Sequence, residues 1–123
     1  MEDMVILTQT YDLLLWLLPR SMKFPQNQRF IITQRLQNAT LDFQEALFVA
    51  NARSGQARLL ALQEADAHLN KLRLYVRMAH DWDWLTSGQH EYVSKRVAEI
   101  GRLLGGSLLS HEPPRTTPPR PPD

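Results

Sequence analysis

Two stretches, ITQRLQNATLDFQEALFVA (residues 32–50) and LQEADAHLNKLRLYVRMA (residues 62–79), decide the fold. In the first, Ile32, Leu36, Ala39, Phe43, Ala46 and Ala50 recur at spacings of four, three, four, three and four residues. In the second, Leu62, Ala65, Leu69, Leu72, Val76 and Ala79 recur at three, four, three, four and three. This spacing keeps one side of an α-helix apolar, because successive residues turn by about 100°. Each stretch predicts one long helix with a buried seam. Ser54-Gly55 between them predicts the end of the earlier helix, since glycine readily takes the position just past a helix C-terminus.

Working toward the N-terminus, Phe24-Pro25-Gln26-Asn27 reads as a turn, with Asn27 as a candidate cap for the helix that follows. Before it lies a Leu-rich helix starting near Asp3, a candidate N-cap, and running to Met22; Pro19 should kink or end it. Working toward the C-terminus, the third helix stops before Asp81-Trp82-Asp83-Trp84. Ser87 is the candidate cap of a fourth helix, with Val93, Val97, Ile100, Leu104 and Leu108 along one side. Helices are expected over 4–22, 27–53, 56–80 and 87–109, with Ile32, Leu36, Phe43, Leu62, Leu69, Leu72, Val76, Val97 and Ile100 buried. Short turns between four such helices predict an all-α, antiparallel up-down four-helix bundle over residues 1–110. Six of the eight prolines crowd into residues 113–123, so 111–123 is expected to be a disordered, Pro-rich tail.

A chain of 123 residues fits one domain, and 43% hydrophobic with 22% charged residues is ordinary for a globular protein. The absence of cysteine excludes disulfides, thiolate metal sites and cysteine nucleophiles. The apolar run Leu13–Leu18 is far short of the roughly 20 residues a membrane span needs. Met1-Glu2-Asp3 lacks the basic start of a signal peptide. A cytoplasmic protein with no membrane partner is expected.

The two central helices carry more apolar surface than one bundle uses. Phe30, Leu41 and Phe48 lie roughly opposite the first seam, and Leu60, Ala67, Leu74 and Met78 form a second stripe on the next helix. A helix apolar on two sides is either buried deep in a larger protein, for which this chain is too short, or sandwiched between its own bundle and a neighbour. Phe30, Leu41, Phe48, Leu60, Leu74 and Met78 are therefore expected in the interface of a homo-oligomer.

Catalytic patterns are scarce. Glu64 and His68 are spaced i, i+4 rather than the Glu-x-x-His of di-iron bundles, and no phosphate loop, GxSxG or HExxH pattern is present. No enzymatic activity, catalytic residue, metal or cofactor is expected. Charge says more: the net charge is only +1, yet residues 20–80 hold nine Lys/Arg against four acids. Arg73 and Arg77 share a helix face, Lys71 projects from another side, and Arg20, Lys23, Arg29 and Arg35 surround the first turn. Guanidinium groups grip phosphate bidentately, and a cluster of them gives salt-sensitive, sequence-independent affinity for nucleic acid. No helix-turn-helix or aromatic stacking platform accompanies them, so base-specific reading is not expected. Pairing of Arg73 with Asp66 or Asn70 in a purely structural role is the competing reading.

The order of four segments carries a resemblance: YDLLLWLLPRSMKFPQNQRF (11–30), RLQNATLDFQEALFVAN (35–51), LNKLRLYVRMAHD (69–81) and EIGRLLGGSL (99–108). Together they resemble the accessory variability determinant (Avd) proteins of diversity-generating retroelements, and the related proteins encoded by intervening sequences in bacterial ribosomal RNA genes. The resemblance covers about residues 5–109. It implies a bundle assembling as a homopentameric barrel with a basic surface, which binds the element's reverse transcriptase and RNA or DNA with little sequence preference, to support mutagenic cDNA synthesis and retrohoming. The basic positions of the family's third helix fall on Arg73 and Arg77. The alternative is a bundle of the ribosomal intervening-sequence type, or a self-assembling scaffold for a protein partner.

Overall fold

The computed structural model describes residues 2–111, apart from the side chains of Glu2, Asp3, Gln28, Arg29, Phe30 and His111. Four helices follow one another: α1 (Glu2–Ser21), α2 (Gln34–Asn51), α3 (Gly55–Asp81) and α4 (Ser87–His111). Among the described residues there is no strand. Helix α2 packs most extensively on α3, α3 on α4, and α1 lies against both α4 and α2, which closes the bundle. The Pro-rich segment 112–123 lies outside the described residues; α4 itself runs on to His111.

The core is the set of seams. Leu13 and Leu17 of α1, Leu36 and Phe43 of α2, Leu69 and Leu72 of α3, and Ile100 and Leu104 of α4 are fully enclosed. Burying a side chain of this size is worth about 1.5–3 kcal/mol, so these eight contribute a large part of the packing energy. Leu62, Val76, Val93 and Val97 are buried with them, while Leu108 is half-buried.

The entry to α2 departs from the expected start at residue 27. Residues Gln26–Gln28 form a 3₁₀ turn and Arg29–Thr33 a π-helical turn before α2 becomes regular. A π turn holds more residues than an α turn, so the seam shifts phase by about one residue. Thr33 is buried at the position expected for Ile32, and Ile32 is only half-buried. Asn27 sits inside the 3₁₀ turn rather than capping α2. Gln37 Nε2 donates to Ser21 Oγ at 2.8 Å, pinning the start of α2 to the end of α1.

The other helix ends follow local chemistry but differ in detail from the expected boundaries. Asp3 lies within α1, which already begins at Glu2. Pro19 is passed, and α1 ends two residues later at Ser21, where Lys23 and Phe24 amides close tight turns onto Arg20 and Ser21. Helix α2 ends at Asn51, before the expected residue 53, and Arg58 Nη1 donates to the Ala50 carbonyl at 2.9 Å. Gly55 does not follow α2 directly; with φ +61 it opens α3, in a conformation costly for other residues. The cap of α4 is Thr86, not Ser87. The Gln89 amide donates to Thr86 Oγ1 and the Thr86 amide to Gln89 Oε1, both at 3.0 Å, a reciprocal capping box.

Candidate functional site

The basic residues whose side chains are described divide among three clefts of the bundle. The first lies between α3 and α4 and encloses about 430 Å³. Arg73, Val76, Arg77, His80 and Asp81 line it from α3, and His90, Ser94, Val97 and Ala98 from α4. Val76 and Val97 give it an apolar floor, and the two arginines stand on its rim one helical turn apart.

Arg73 is positioned rather than neutralised. Its Nη1 donates to Asn70 Oδ1 at 2.7 Å, and it makes no ion pair among the described residues. Its guanidinium reaches across to α4 and occupies the space that a Cβ on Gly101 would need. Arg77 Nε stands 3.9 Å from Asp81 Oδ2, with its side chain 81% exposed. An ion pair that long and that exposed is worth little, so Arg77 keeps most of its charge available.

Two histidines complete the cleft. The His80 and His90 rings stack with centroids 3.9 Å apart and planes 15° from parallel. Burial holds His90 below its ordinary value, the neighbouring His80 adds to the depression, and Asp81 opposes it. Ser94 Oγ lies 3.3 Å from His90 Nε2. No local signal in the sequence joins His80 to His90, Ser94 and Gly101, because these three enter the cleft from the facing helix.

The second cleft, about 410 Å³, lies between α2 and α3 and holds Arg35 and Lys71 with Asp42, His68 and Tyr75. The third, about 340 Å³, lies where α1 ends and α4 begins, and holds Arg20 and Lys23. The side chain of Arg29 lies outside the described residues. Arg73 and Arg77 are thus brought together, Arg35 joins Lys71, and Arg20 joins Lys23. Among the described residues, no three His, Asp or Glu side chains converge as metal ligands would.

Of the residues expected at an oligomer interface, Phe48, Leu60 and Leu74 are 56%, 55% and 52% exposed in the protomer. Leu41 is also exposed, Met78 is half-buried, and the side chain of Phe30 lies outside the described residues. Among the described residues, no helix is long and apolar enough to cross a membrane.

The protein is thus an all-α four-helix bundle with basic side chains in the clefts between its helices and apolar side chains left on its outside. The chain belongs to the bAvd-like family, whose model matches residues 4–111. Membership places it, in general, with the accessory, non-catalytic proteins of diversity-generating retroelements. Its fold is that of a crystallised protein of unknown function from the S23 ribosomal protein family of Bacteroides thetaiotaomicron. The TM-score is 0.80 at 14% identity, over 89% of this chain and 99% of that one. No curated protein matches the sequence.

Proposed function

We propose that this protein acts in the cytoplasm as a reverse-transcriptase accessory factor of a diversity-generating retroelement. In this reading it binds RNA and DNA with little sequence preference and supports mutagenic cDNA synthesis and retrohoming. The observation that carries the reading is the Arg73–Arg77 pair, two guanidinium groups on one cleft rim, with Arg73 free of any carboxylate among the described residues. Spaced one turn apart, they match a run of phosphates, and phosphate contact gives affinity without sequence choice.

Self-association belongs to the same reading. Exposed Phe48, Leu60 and Leu74 give the protomer apolar surface on two helices, and a homopentamer would place copies of the three clefts around one barrel. Lys71, Arg35, Arg20, Lys23 and Arg29 then add positive charge for the reverse transcriptase, the nucleic acid, or both.

The test is a salt titration of binding to labelled single-stranded RNA and DNA of unrelated sequences, alongside pull-down of the retroelement's reverse transcriptase. The reading expects affinity that falls steeply with salt, varies little among sequences, and drops in the Arg73→Ala/Arg77→Ala variant. Unchanged binding with lowered thermal stability would assign both arginines to structure and leave a self-assembling scaffold.

A further inference from the structure

The sequence shows two tryptophans in a turn and a phenylalanine in another turn sixty residues before the second of them; the fold packs them ring against ring, tilted by 41° and 49°. Phe24 is buried, its ring centroid 5.2 Å from that of Trp84; Trp84 in turn lies 5.1 Å from Trp82, which is 46% exposed. The three rings make a ladder running from the core to solvent at the end of the bundle where α1 stops and α4 starts. The turn that presents them is closely bonded: the Asp83 amide donates to His80 O at 2.9 Å and the Trp84 amide to Ala79 O at 2.8 Å. Asp83 takes φ 63, a left-handed conformation that aspartate tolerates better than most residues.

Beside this ladder lies the third cleft, about 340 Å³, lined by Pro19, Arg20, Lys23, Phe24, Trp84, Leu85 and Gln89. It has two cations and no carboxylate in its wall. Arg20 is held in place: Nη1 donates to the Trp16 carbonyl at 2.8 Å, and the guanidinium lies 4.2 Å above the Trp16 ring. Much of the entropy of ordering that side chain is therefore already lost before any ligand arrives. The volume is at the small end of the range for small-molecule sites and matches one nucleotide unit. Aromatic faces beside fixed cations are the combination that holds unpaired bases by stacking and their phosphates by charge.

We infer that this end of the bundle is a stacking site for an unpaired nucleobase, with Trp82 and Trp84 as the platform and Arg20 and Lys23 on the adjoining phosphate. The inference rests on the nucleic-acid reading above, but the site is separate from the Arg73–Arg77 cleft. It adds discrimination of single strands from duplexes, which the arginine pair alone does not provide.

The chain's three tryptophans are Trp16, Trp82 and Trp84, all at this end, so intrinsic fluorescence reports on the site directly. The full-length protein is titrated with single-stranded dT15, with a 15-mer of abasic sites carrying the same phosphates, and with a 15-base-pair duplex. Tryptophan emission and the anisotropy of fluorescein-labelled versions are read in parallel. The site predicts quenching by dT15 and none by the abasic strand or the duplex, although both bind by anisotropy. Base–aromatic stacking is worth about 1–3 kcal/mol, so Trp82→Leu should weaken dT15 binding by about 5- to 140-fold while leaving abasic binding unchanged. Trp82→Phe, which keeps an aromatic face, should restore most of it. Binding of dT15 without quenching, and equally tight in Trp82→Leu, overturns the base site and leaves the nucleic-acid reading standing. Failure of all three probes to bind at low salt overturns both. Quenching by a phosphotyrosine peptide but not by dT15 assigns the cleft to a protein partner and overturns the proposal.

Discussion

The guanidinium of Arg73 lies where the side chain of residue 101 would have to begin, and residue 101 is a glycine. Gly101 is interior to α4, where alanine is about 1 kcal/mol better than glycine. The atom in the way is the far end of a flexible side chain, so it gives way readily. Gly101→Ala should raise the free energy of unfolding by roughly 0.5–1 kcal/mol and swing Arg73 off its bond to Asn70. Polyanion affinity should fall at the same time. Denaturant unfolding beside a binding titration checks the pair of effects, and a gain in stability without loss of binding would detach Arg73 from the site.

Arg73→Ala/Arg77→Ala should leave the fold intact, because both side chains are exposed. Substitutions of that kind change stability by about 0.5 kcal/mol or less. If each arginine contacts one phosphate of a single strand, the slope of log K against log salt should flatten by about 1.4. Binding measured across a range of salt concentrations, with circular dichroism as the control, reads this out.

His90 makes stability depend on pH. Its value in the folded protein lies below the ordinary 6.5, through burial first and His80 second. Above about 6.5 both states leave it neutral and it adds no slope. As pH falls through 6.5 the unfolded chain takes the proton first, so stability falls until the folded-state value is reached. His90→Asn should reduce this acid-side loss, which a series of melting curves from pH 8 to pH 5 would show.

Thr86, not Ser87, carries the cap of α4. Thr86→Ala removes an oxygen that accepts from the Gln89 amide and should cost about 1 kcal/mol. Ser87→Ala, one residue later and inside the helix, should cost much less. Chemical denaturation of the two variants side by side gives the comparison.

Phe48→Glu and Leu74→Glu place a charge on the exposed apolar surface of α2 and α3. If those surfaces meet in a homo-oligomer, either variant should sediment as the 14.2 kDa protomer while keeping its helicity. Wild-type protein that is itself monomeric at micromolar concentration would remove the assembly from the proposed function.

The helices and their buried faces were legible in the sequence. The three-four spacing of residues 36–50 and 62–79 is a local property, since the turn of a helix fixes which side chains share a side whatever the helix packs on. The sequence also identified the Arg73–Arg77 pair, for the same reason. It misplaced Ile32, because a π turn changes phase through the packing of the α1–α2 connection rather than through any residue type in it. Tertiary structure alone decided the rest. How far each helix is rotated about its axis, and which neighbour lies on which flank, depend on all four seams fitting into one core. That rotation sorted the basic residues into three clefts, set His80 against His90, aimed Arg73 at Gly101, and joined Phe24 to Trp84 across sixty residues of chain.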